Sequence, residues 1–125
     1  MCLENGLSVS VGGPSRKGAH VIEMDRIREM SRTISARFNP QRIVLFGSHA
    51  TGTASAHSDV DLLVIMSFEG RPFLKSLEIL NLVNPTFPID LLAQKPEEVS
   101  RRYAEGDPLI REALDHGKVL YERDG

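Results

Sequence analysis

The sequence lacks the features that mark secreted, membrane-spanning and nucleic-acid-wrapping proteins. Its single cysteine, Cys2, cannot form an internal disulfide, which fits a reducing cytoplasm. No apolar run approaches the length that spans a bilayer, and no secretory signal pattern opens the chain. The net charge of −2 provides no excess of positive charge for holding long nucleic acid by its phosphates. These absences favour a small-molecule or protein substrate.

The composition is that of an ordinary globular domain. With 125 residues, 41% of them apolar, the chain can form one hydrophobic core and little else. Residues 1–20 carry scattered Gly and Ser with no sustained helical or strand period, which predicts a disordered or loosely attached leader. Residues 21–125 are expected to form the single folded domain.

Hydrophobic periodicity predicts alternating helices and strands. Helices are expected over residues 22–38, 72–83, 96–103 and 108–114; strands are expected over residues 42–46, 60–66, 89–93 and 119–121. This pattern is typical of an α/β or α+β fold. We expect a small, mixed, twisted sheet with helices packed mainly on one side, although the strand order cannot be derived from the sequence.

Two carboxylates open the second of the long strands. Because side chains alternate between the faces of a strand, Asp59 and Asp61 point the same way, with Cα atoms about 7 Å apart. Two like charges at the start of a buried strand repel each other and resist burial, unless a cation lies between them. Oxygen ligands without neighbouring Cys or paired His indicate Mg²⁺ or Mn²⁺. The alternative is a purely structural role, in which Ser58-Asp59 caps a turn and Asp61 lies on the surface.

The preceding strand runs into Gly47-Ser48, a turn suited to binding phosphate. Glycine adopts backbone angles closed to other residues and allows a ligand to approach the main chain. Backbone N–H groups at such a turn, together with the Ser48 hydroxyl, can hold phosphate oxygens. The turn is not a Walker loop, because Gly-Lys-Ser/Thr does not follow it. A phosphate turn near a carboxylate pair indicates a metal–nucleotide site.

Residues 42–93 carry a specific compound pattern: Gly47-Ser48, then Gly52, then Ser58-Asp59-Val60-Asp61-Leu62-Leu63-Val64. This pattern resembles the DNA polymerase β-like nucleotidyltransferase superfamily. Within that superfamily the chain looks most like the minimal nucleotidyltransferases, short proteins often paired with a HEPN-domain partner. The resemblance implies the polymerase β-like fold and a Mg²⁺-dependent transfer of a nucleoside monophosphate, typically AMP from ATP, to a HEPN toxin by its antitoxin.

The resemblance also implies roles for individual residues. Asp59, Asp61 and Asp90 would be the catalytic metal ligands, and Gly47, Ser48 and Ser58 would bind the nucleotide. Asp90 is the one carboxylate in an otherwise apolar predicted strand, a costly position for an unpaired charge, although a lone acid at a strand start is often a turn or cap residue. Its placement beside Asp59 and Asp61 rests on the resemblance.

Two positions depart from the family pattern and keep other functions open. Family members commonly carry basic or aromatic residues where this chain has His49 and Thr51. His49 can still donate to a phosphate, whereas Thr51 supplies no charge. One alternative is therefore a non-catalytic antitoxin that binds its partner by contact alone. Another is a small-molecule (antibiotic) nucleotidyltransferase working as a dimer, the homo-oligomer expected if a chain of 125 residues has no room for a second domain that holds the acceptor.

Overall fold

The computed structural model describes residues 8–11, 24–54 and 58–123, the first of these ranges as backbone only. These ranges contain five strands and five helices. In chain order they are β1 (Ser8–Val11), α1 (Met24–Phe38), β2 (Arg42–Phe46), α2 (Ser48–Thr51), β3 (Val60–Ile65), α3 (Pro72–Val83), β4 (Ile89–Gln94), α4 (Pro96–Ala104), α5 (Pro108–His116) and β5 (Lys118–Glu122).

The strands form one mixed sheet in the order β1-β4-β3-β2-β5. The two central neighbours β3 and β4 are parallel and are joined by the crossover helix α3. Every other pairing is antiparallel. The parallel pair therefore lies inside the sheet, and the amino-terminal ends of β3 and β4 lie at the same edge. That edge is where the sequence places Asp61 and Asp90.

Alternation along the strands divides the core into two apolar clusters, one on each face of the sheet. On one face, the side chains of Ile43, Leu62 and Leu91 pack against α1 and α3. On the other face, Leu63 and Leu92 pack against α4 and α5. The predicted fold class is confirmed. The longer helices α1 and α3 cover one face of the sheet, as expected. The shorter helices α4 and α5 cover part of the opposite face.

Helix α1 shows how local sequence determines an element. Its buried residues, Ile27, Met30 and Ile34, recur every three or four positions and form one apolar stripe. The helix ends before Pro40, with Asn39 in a left-handed conformation at φ 50°. Within the described ranges, no helix is long and apolar enough to cross a bilayer.

Two short elements differ from the sequence expectation. Residues 8–11, assigned above to an unstructured leader, form β1, which pairs with β4 at the edge of the sheet; the rest of that leader lies outside the described residues. Helix α2 was not predicted at all. Both elements have only four residues, too few to show a period, and β1 also depends on pairing with β4, which lies far along the chain.

Candidate active site

The structure brings two of the three predicted acids side by side. Asp61 and Asp90 are direct partners in the parallel register of β3 and β4, each at the second position of its strand. Their side chains share the face that carries Leu63 and Leu92, under α4 and α5. Asp59 precedes β3 by one residue and is exposed. The position of Asp90 beside Asp61, which rested on resemblance, is confirmed.

The surroundings of Asp61 disfavour its charged form. Burial raises the pKa of Asp61 most, and the negative charges of Asp90 and Asp59 raise it further. A hydrogen bond between the side chains of Asp61 and Asp90 adds to the shift, because it favours the protonated form. Together these effects raise the pKa of Asp61 from 3.8 to about 7. Negative charge is therefore concentrated at this edge of the sheet.

Helix α5 adds a fourth carboxylate that sequence reasoning missed. The charge of Glu112 also acts on Asp61 and raises its pKa, although by less than the other causes. Glu112 is exposed on an amphipathic helix whose buried residues are Ile110 and Ala113. In the sequence such a residue cannot be told from an ordinary solvated one. Only the packing of α5 over this face brings it near the site.

Gly47 is required at the turn between β2 and α2 for two reasons. Its backbone adopts φ 78° and ψ −156°, a region that is essentially restricted to glycine. A Cβ built on Gly47 would lie 2.3 Å from Oδ2 of Asp61, far inside van der Waals contact. The register explains this closeness, because the preceding residue, Phe46, pairs directly with Asp61. The turn therefore passes directly against the central carboxylate.

The two predicted phosphate-binding serines lie on either side of this carboxylate edge. Ser48 opens the short helix α2 directly after Gly47, and Ser58 directly precedes Asp59; both are half-buried. The turn is ordered by its own backbone, since Ala50 N–H donates to the Gly47 carbonyl at 3.0 Å. Gly52 then ends α2 in a left-handed conformation. Nucleotide binding by Gly47, Ser48 and Ser58 stays a prediction.

The two departures from the family pattern are both engaged within the protein. The His49 ring is 9% exposed, and its Nδ1 lies 3.1 Å from the backbone oxygen of Asp59. A carbonyl oxygen can only accept, so Nδ1 is the donor in this contact, and Nε2 is buried with no hydrogen-bond partner among the described residues. His49 is therefore not placed to donate to a phosphate. The Thr51 hydroxyl lies 3.4 Å from the carbonyl oxygens of Gly47 and Ser48, in reach of either.

The donor chemistry fits a hard divalent cation. The converging ligands are carboxylate oxygens, and the raised pKa of Asp61 shows that a positive charge here would relieve an electrostatic cost. In the described part of the chain, no three His, Cys, Asp or Glu side chains lie close enough to share one ion. The Asp61–Asp90 pair is thus the part of the site that is in place, and Asp59 is the neighbouring third carboxylate.

Known proteins resemble this chain in sequence and in fold. Residues 28–125 match the family model described as "Polymerase beta, Nucleotidyltransferase". A Methanocaldococcus jannaschii protein, provisionally named a protein adenylyltransferase, is 33% identical over 88 residues. That alignment covers 66% of this chain and 58% of the relative, so the chain spans little more than half of the relative's length.

Solved structures give the same fold. A Sulfolobus solfataricus structure, provisionally described as a nucleotidyltransferase, matches with a TM-score of 0.58 and 15% identity over 80% of each chain. A toxin–antitoxin structure containing AMP-PNP matches with a TM-score of 0.50 and 19% identity, over 82% of this chain and 76% of the other. Because the family model extends over most of the chain, this protein belongs to the polymerase β nucleotidyltransferase family.

Proposed function

We propose that this domain transfers a nucleoside monophosphate, AMP from ATP, to a hydroxyl group on a partner protein, with Mg²⁺ as its cofactor. The observation that carries the proposal is the contact between Asp61 and Asp90 on adjoining parallel strands. Two carboxylates held together by the sheet at an electrostatic cost are expected where a cation is to be bound. A structural role alone would be served by less costly residues.

In this proposal Asp61 and Asp90 would hold the Mg²⁺, or Mn²⁺ in its place, and Asp59 would complete the ligand set by moving its exposed side chain toward the metal. The metal supplies electrostatic stabilisation of the charge that develops on the phosphate oxygens. The main chain at Gly47 and the hydroxyls of Ser48 and Ser58 orient the phosphates against the carboxylate edge. The strands already fix the positions of Asp61 and Asp90. Little conformational entropy is therefore lost at these residues when the nucleotide binds.

The reaction is an in-line displacement at the α-phosphorus. The acceptor oxygen forms a new P–O bond, the bond from the α-phosphorus to the bridging oxygen of the β-phosphate breaks, and pyrophosphate leaves with that electron pair. The proton of the acceptor hydroxyl passes to a carboxylate, the role that the family resemblance implies for Asp90. The products are the nucleotidylated acceptor and pyrophosphate.

A protein acceptor is supported by two likenesses. The Methanocaldococcus jannaschii relative carries the name of a protein adenylyltransferase. The toxin–antitoxin structure of the same fold contains AMP-PNP, an ATP analogue. We therefore propose that the acceptor is a toxin, of the HEPN type that the sequence resemblance implies, and that this chain is its antitoxin. The net charge of −2 agrees with an acceptor other than long nucleic acid.

A contact-only antitoxin is the second candidate, and one observation favours it. His49 and Thr51 occupy positions where related proteins commonly carry basic or aromatic residues, and both are engaged by the protein backbone here. A site with less positive charge around the triphosphate binds the nucleotide more weakly. In this second function the domain neutralises its partner by binding without transferring a nucleotide.

Calorimetric titration separates the two candidates. ATP and the other nucleoside triphosphates are titrated into the protein with and without Mg²⁺, and the same titrations are made with Asp59→Asn/Asp61→Asn. A matched control, Glu29→Gln/Glu69→Gln, makes the same change of net charge at two exposed positions that do not act on Asp61. Incubation with a co-expressed toxin, followed by intact-mass measurement, then tests for an added nucleoside monophosphate.

Mg²⁺-dependent binding that is lost in the aspartate variant and kept in the control, with a mass increase on the toxin, supports the transferase. Binding of the toxin without nucleotide binding or a mass change supports the contact-only antitoxin. Unfolding of the Asp59→Asn/Asp61→Asn variant would show that these residues are structural, and would contradict both site assignments.

A further inference from the structure

We propose that His49 is a positioning residue of this site. Through its Nδ1–H it fixes the main chain at Asp59 to helix α2, and so sets the position of that carboxylate relative to the Gly47-Ser48 turn. The inference rests on the proposed function for its catalytic consequence. It assigns His49 a role different from the phosphate contact that the sequence suggested.

The hydrogen bond joins α2 to Asp59, two parts of the chain that lie just beyond the paired ends of β2 and β3. His49 follows Ser48 in α2, while Asp59 lies ten residues further along the chain, and the 3.1 Å contact between Nδ1 and the Asp59 oxygen spans that gap. Residues 48–51 and 60–65 are positioned by regular structure, whereas Asp59 lies outside β3. The His49 ring is therefore a direct link between the phosphate turn and the first metal-ligand candidate.

A second hydrogen bond holds the nitrogen of the same peptide group, the one that joins Asp59 to Val60. The N–H of Val60 donates to the carbonyl oxygen of Pro88 at 3.0 Å, one residue before β4 begins. The peptide group between Asp59 and Val60 is thus held at its oxygen by α2 and at its nitrogen by the start of β4. With its peptide held at both ends, Asp59 keeps an exposed side chain whose charge acts on Asp61 even though Asp59 lies outside the sheet.

The state of the other ring nitrogen shows what the imidazole contributes. Nε2 is buried and has no hydrogen-bond partner among the described residues. An apolar side chain of similar size would fill the same volume without leaving a buried acceptor unpaired. What histidine adds over such a side chain is the donor at Nδ1. The contact with Asp59 is therefore the specific contribution of this residue.

Three substitutions separate the donor from the volume of the ring. His49→Asn places an amide nitrogen at the same number of bonds from Cβ as Nδ1 and so retains the donor. His49→Gln places its amide nitrogen where Nε2 lies, and His49→Leu has no donor. Each variant is compared with the wild-type chain at pH 8, where free imidazole is neutral, after circular dichroism has confirmed its fold.

Two measurements follow on each protein: Mn²⁺ affinity by electron paramagnetic resonance, and the rate of pyrophosphate release with ATP and the co-expressed toxin. We expect His49→Leu and His49→Gln to weaken Mn²⁺ binding and lower kcat by about 10- to 100-fold, with a smaller change in KM. His49→Asn should recover most of this loss. A purely space-filling role predicts instead that His49→Leu keeps both properties better than His49→Asn does.

The wild-type protein supplies a test that needs no substitution. Long-range ¹H–¹⁵N correlation spectra of the histidine rings should show His49 with a protonated Nδ1 and an unprotonated Nε2. The opposite tautomer, or an unchanged Mn²⁺ affinity and kcat in folded His49→Leu, would overturn the inference while leaving the proposed function intact. Wild-type protein that binds neither Mn²⁺ nor nucleotide would reject the proposed function and, with it, the positioning role.

Discussion

Asp61 and Asp107 are both half-buried carboxylates, but their surroundings have opposite effects. Asp107 accepts a hydrogen bond from Nε of Arg102 at 2.9 Å, and the backbone N–H groups of Leu109 and Ile110 donate to its other oxygen. Asp61 instead faces the carboxylates of Asp90, Asp59 and Glu112. One aspartate is surrounded by donors, and the other by groups of its own charge.

The pKa values follow the surroundings. Partial burial raises the pKa of Asp107, but the hydrogen bond from Arg102 and those from the α5 backbone outweigh it, and the net result is a lowered pKa. The pKa of Asp61 is raised to about 7. Asp107 therefore stabilises the fold by capping α5, whereas Asp61 costs stability. A carboxylate that the fold does not satisfy is the one to assign to ligand binding.

Removing the partner of Asp61 should have the largest effect on function. Asp90→Asn keeps the size of the side chain and can still hydrogen-bond to Asp61, but it removes one negative charge from the pair. We expect nucleotide transfer, measured as pyrophosphate release, to fall by about 10³-fold, because metal stabilisation of the transition state is worth several kcal/mol. Asp107→Asn, which changes the same atoms elsewhere, should leave the rate within about twofold. Equal losses in the two variants would contradict the functional distinction between the aspartates.

A methyl group added at Gly47, beside the Asp61 carboxylate, should lower the stability of the protein. Gly47→Ala introduces a Cβ that would clash with the Asp61 carboxylate and forces a residue with a side chain into a glycine conformation. We expect the free energy of unfolding, measured in urea, to fall by about 2–4 kcal/mol. Gly52→Ala is the matched control, since Gly52 also has a positive φ but no atom within 4 Å of the added Cβ.

The control should cost only about 1–2 kcal/mol, the penalty for the left-handed backbone alone. Gly47→Ala should also weaken Mn²⁺ binding, because the carboxylate must move, whereas Gly52→Ala should not. Equal destabilisation by the two substitutions would show that the contact with Asp61 is relieved at no cost.

The pH dependence of stability tests the raised pKa directly. Between pH values of about 4 and 7 the folded metal-free protein holds a proton on Asp61 that the unfolded chain has lost. The contribution of Asp61 to the free energy of unfolding therefore becomes less favourable as the pH rises through this window, and is constant above it. A shift of this size is worth about 4 kcal/mol for a fully buried group, and solvent screening of a half-buried one reduces it to about 2 kcal/mol.

Urea unfolding of the wild type and Asp61→Asn in EDTA, at pH 4 and pH 8, isolates this contribution. The asparagine variant should gain about 2 kcal/mol relative to the wild type between the two pH values, because it lacks the titrating group. A constant difference between the two proteins would show that Asp61 titrates at its ordinary pKa and that the carboxylates do not interact.

The sequence predicted most of the fold because amphipathic periodicity is a local property. The apolar stripe of α1 at Ile27, Met30 and Ile34 is visible in the sequence, and the apolar runs of β3 and β4 likewise. The elements that were missed, β1 and α2, are four residues long, and β1 pairs with β4, which lies far along the chain. Such elements leave no periodic signal.

The candidate site was predictable to the same extent. The alternation of side chains predicts that Asp59 and Asp61 point the same way, and the structure places Asp61 in β3 and Asp59 one residue before it. The contact between Asp61 and Asp90 depends on the parallel register of two strands separated by α3, which no local pattern encodes. The approach of Glu112 and the burial of His49 depend on the packing of α5 and α2, and neither could be seen before the fold was known.

Replacing Asp107, the aspartate that stabilises the fold, should have the smallest effect of these substitutions. Asp107→Asn keeps a good helix N-cap but removes the charge that pairs with Arg102, a side chain that is only 7% exposed. We expect the free energy of unfolding at pH 7 to fall by about 1 kcal/mol, because the pair is partly screened on the Asp107 side.

Since the pKa of Asp107 is lowered on folding, this contribution is present above its unfolded value of 3.8 and is lost as the pH falls through the folded value. The pH dependence is thus opposite in sign to that of Asp61. Urea unfolding at pH 3 and pH 7 should therefore show the wild type and Asp107→Asn converging in acid, whereas a difference that persists at pH 3 would mean that packing, rather than charge, makes Asp107 stabilising.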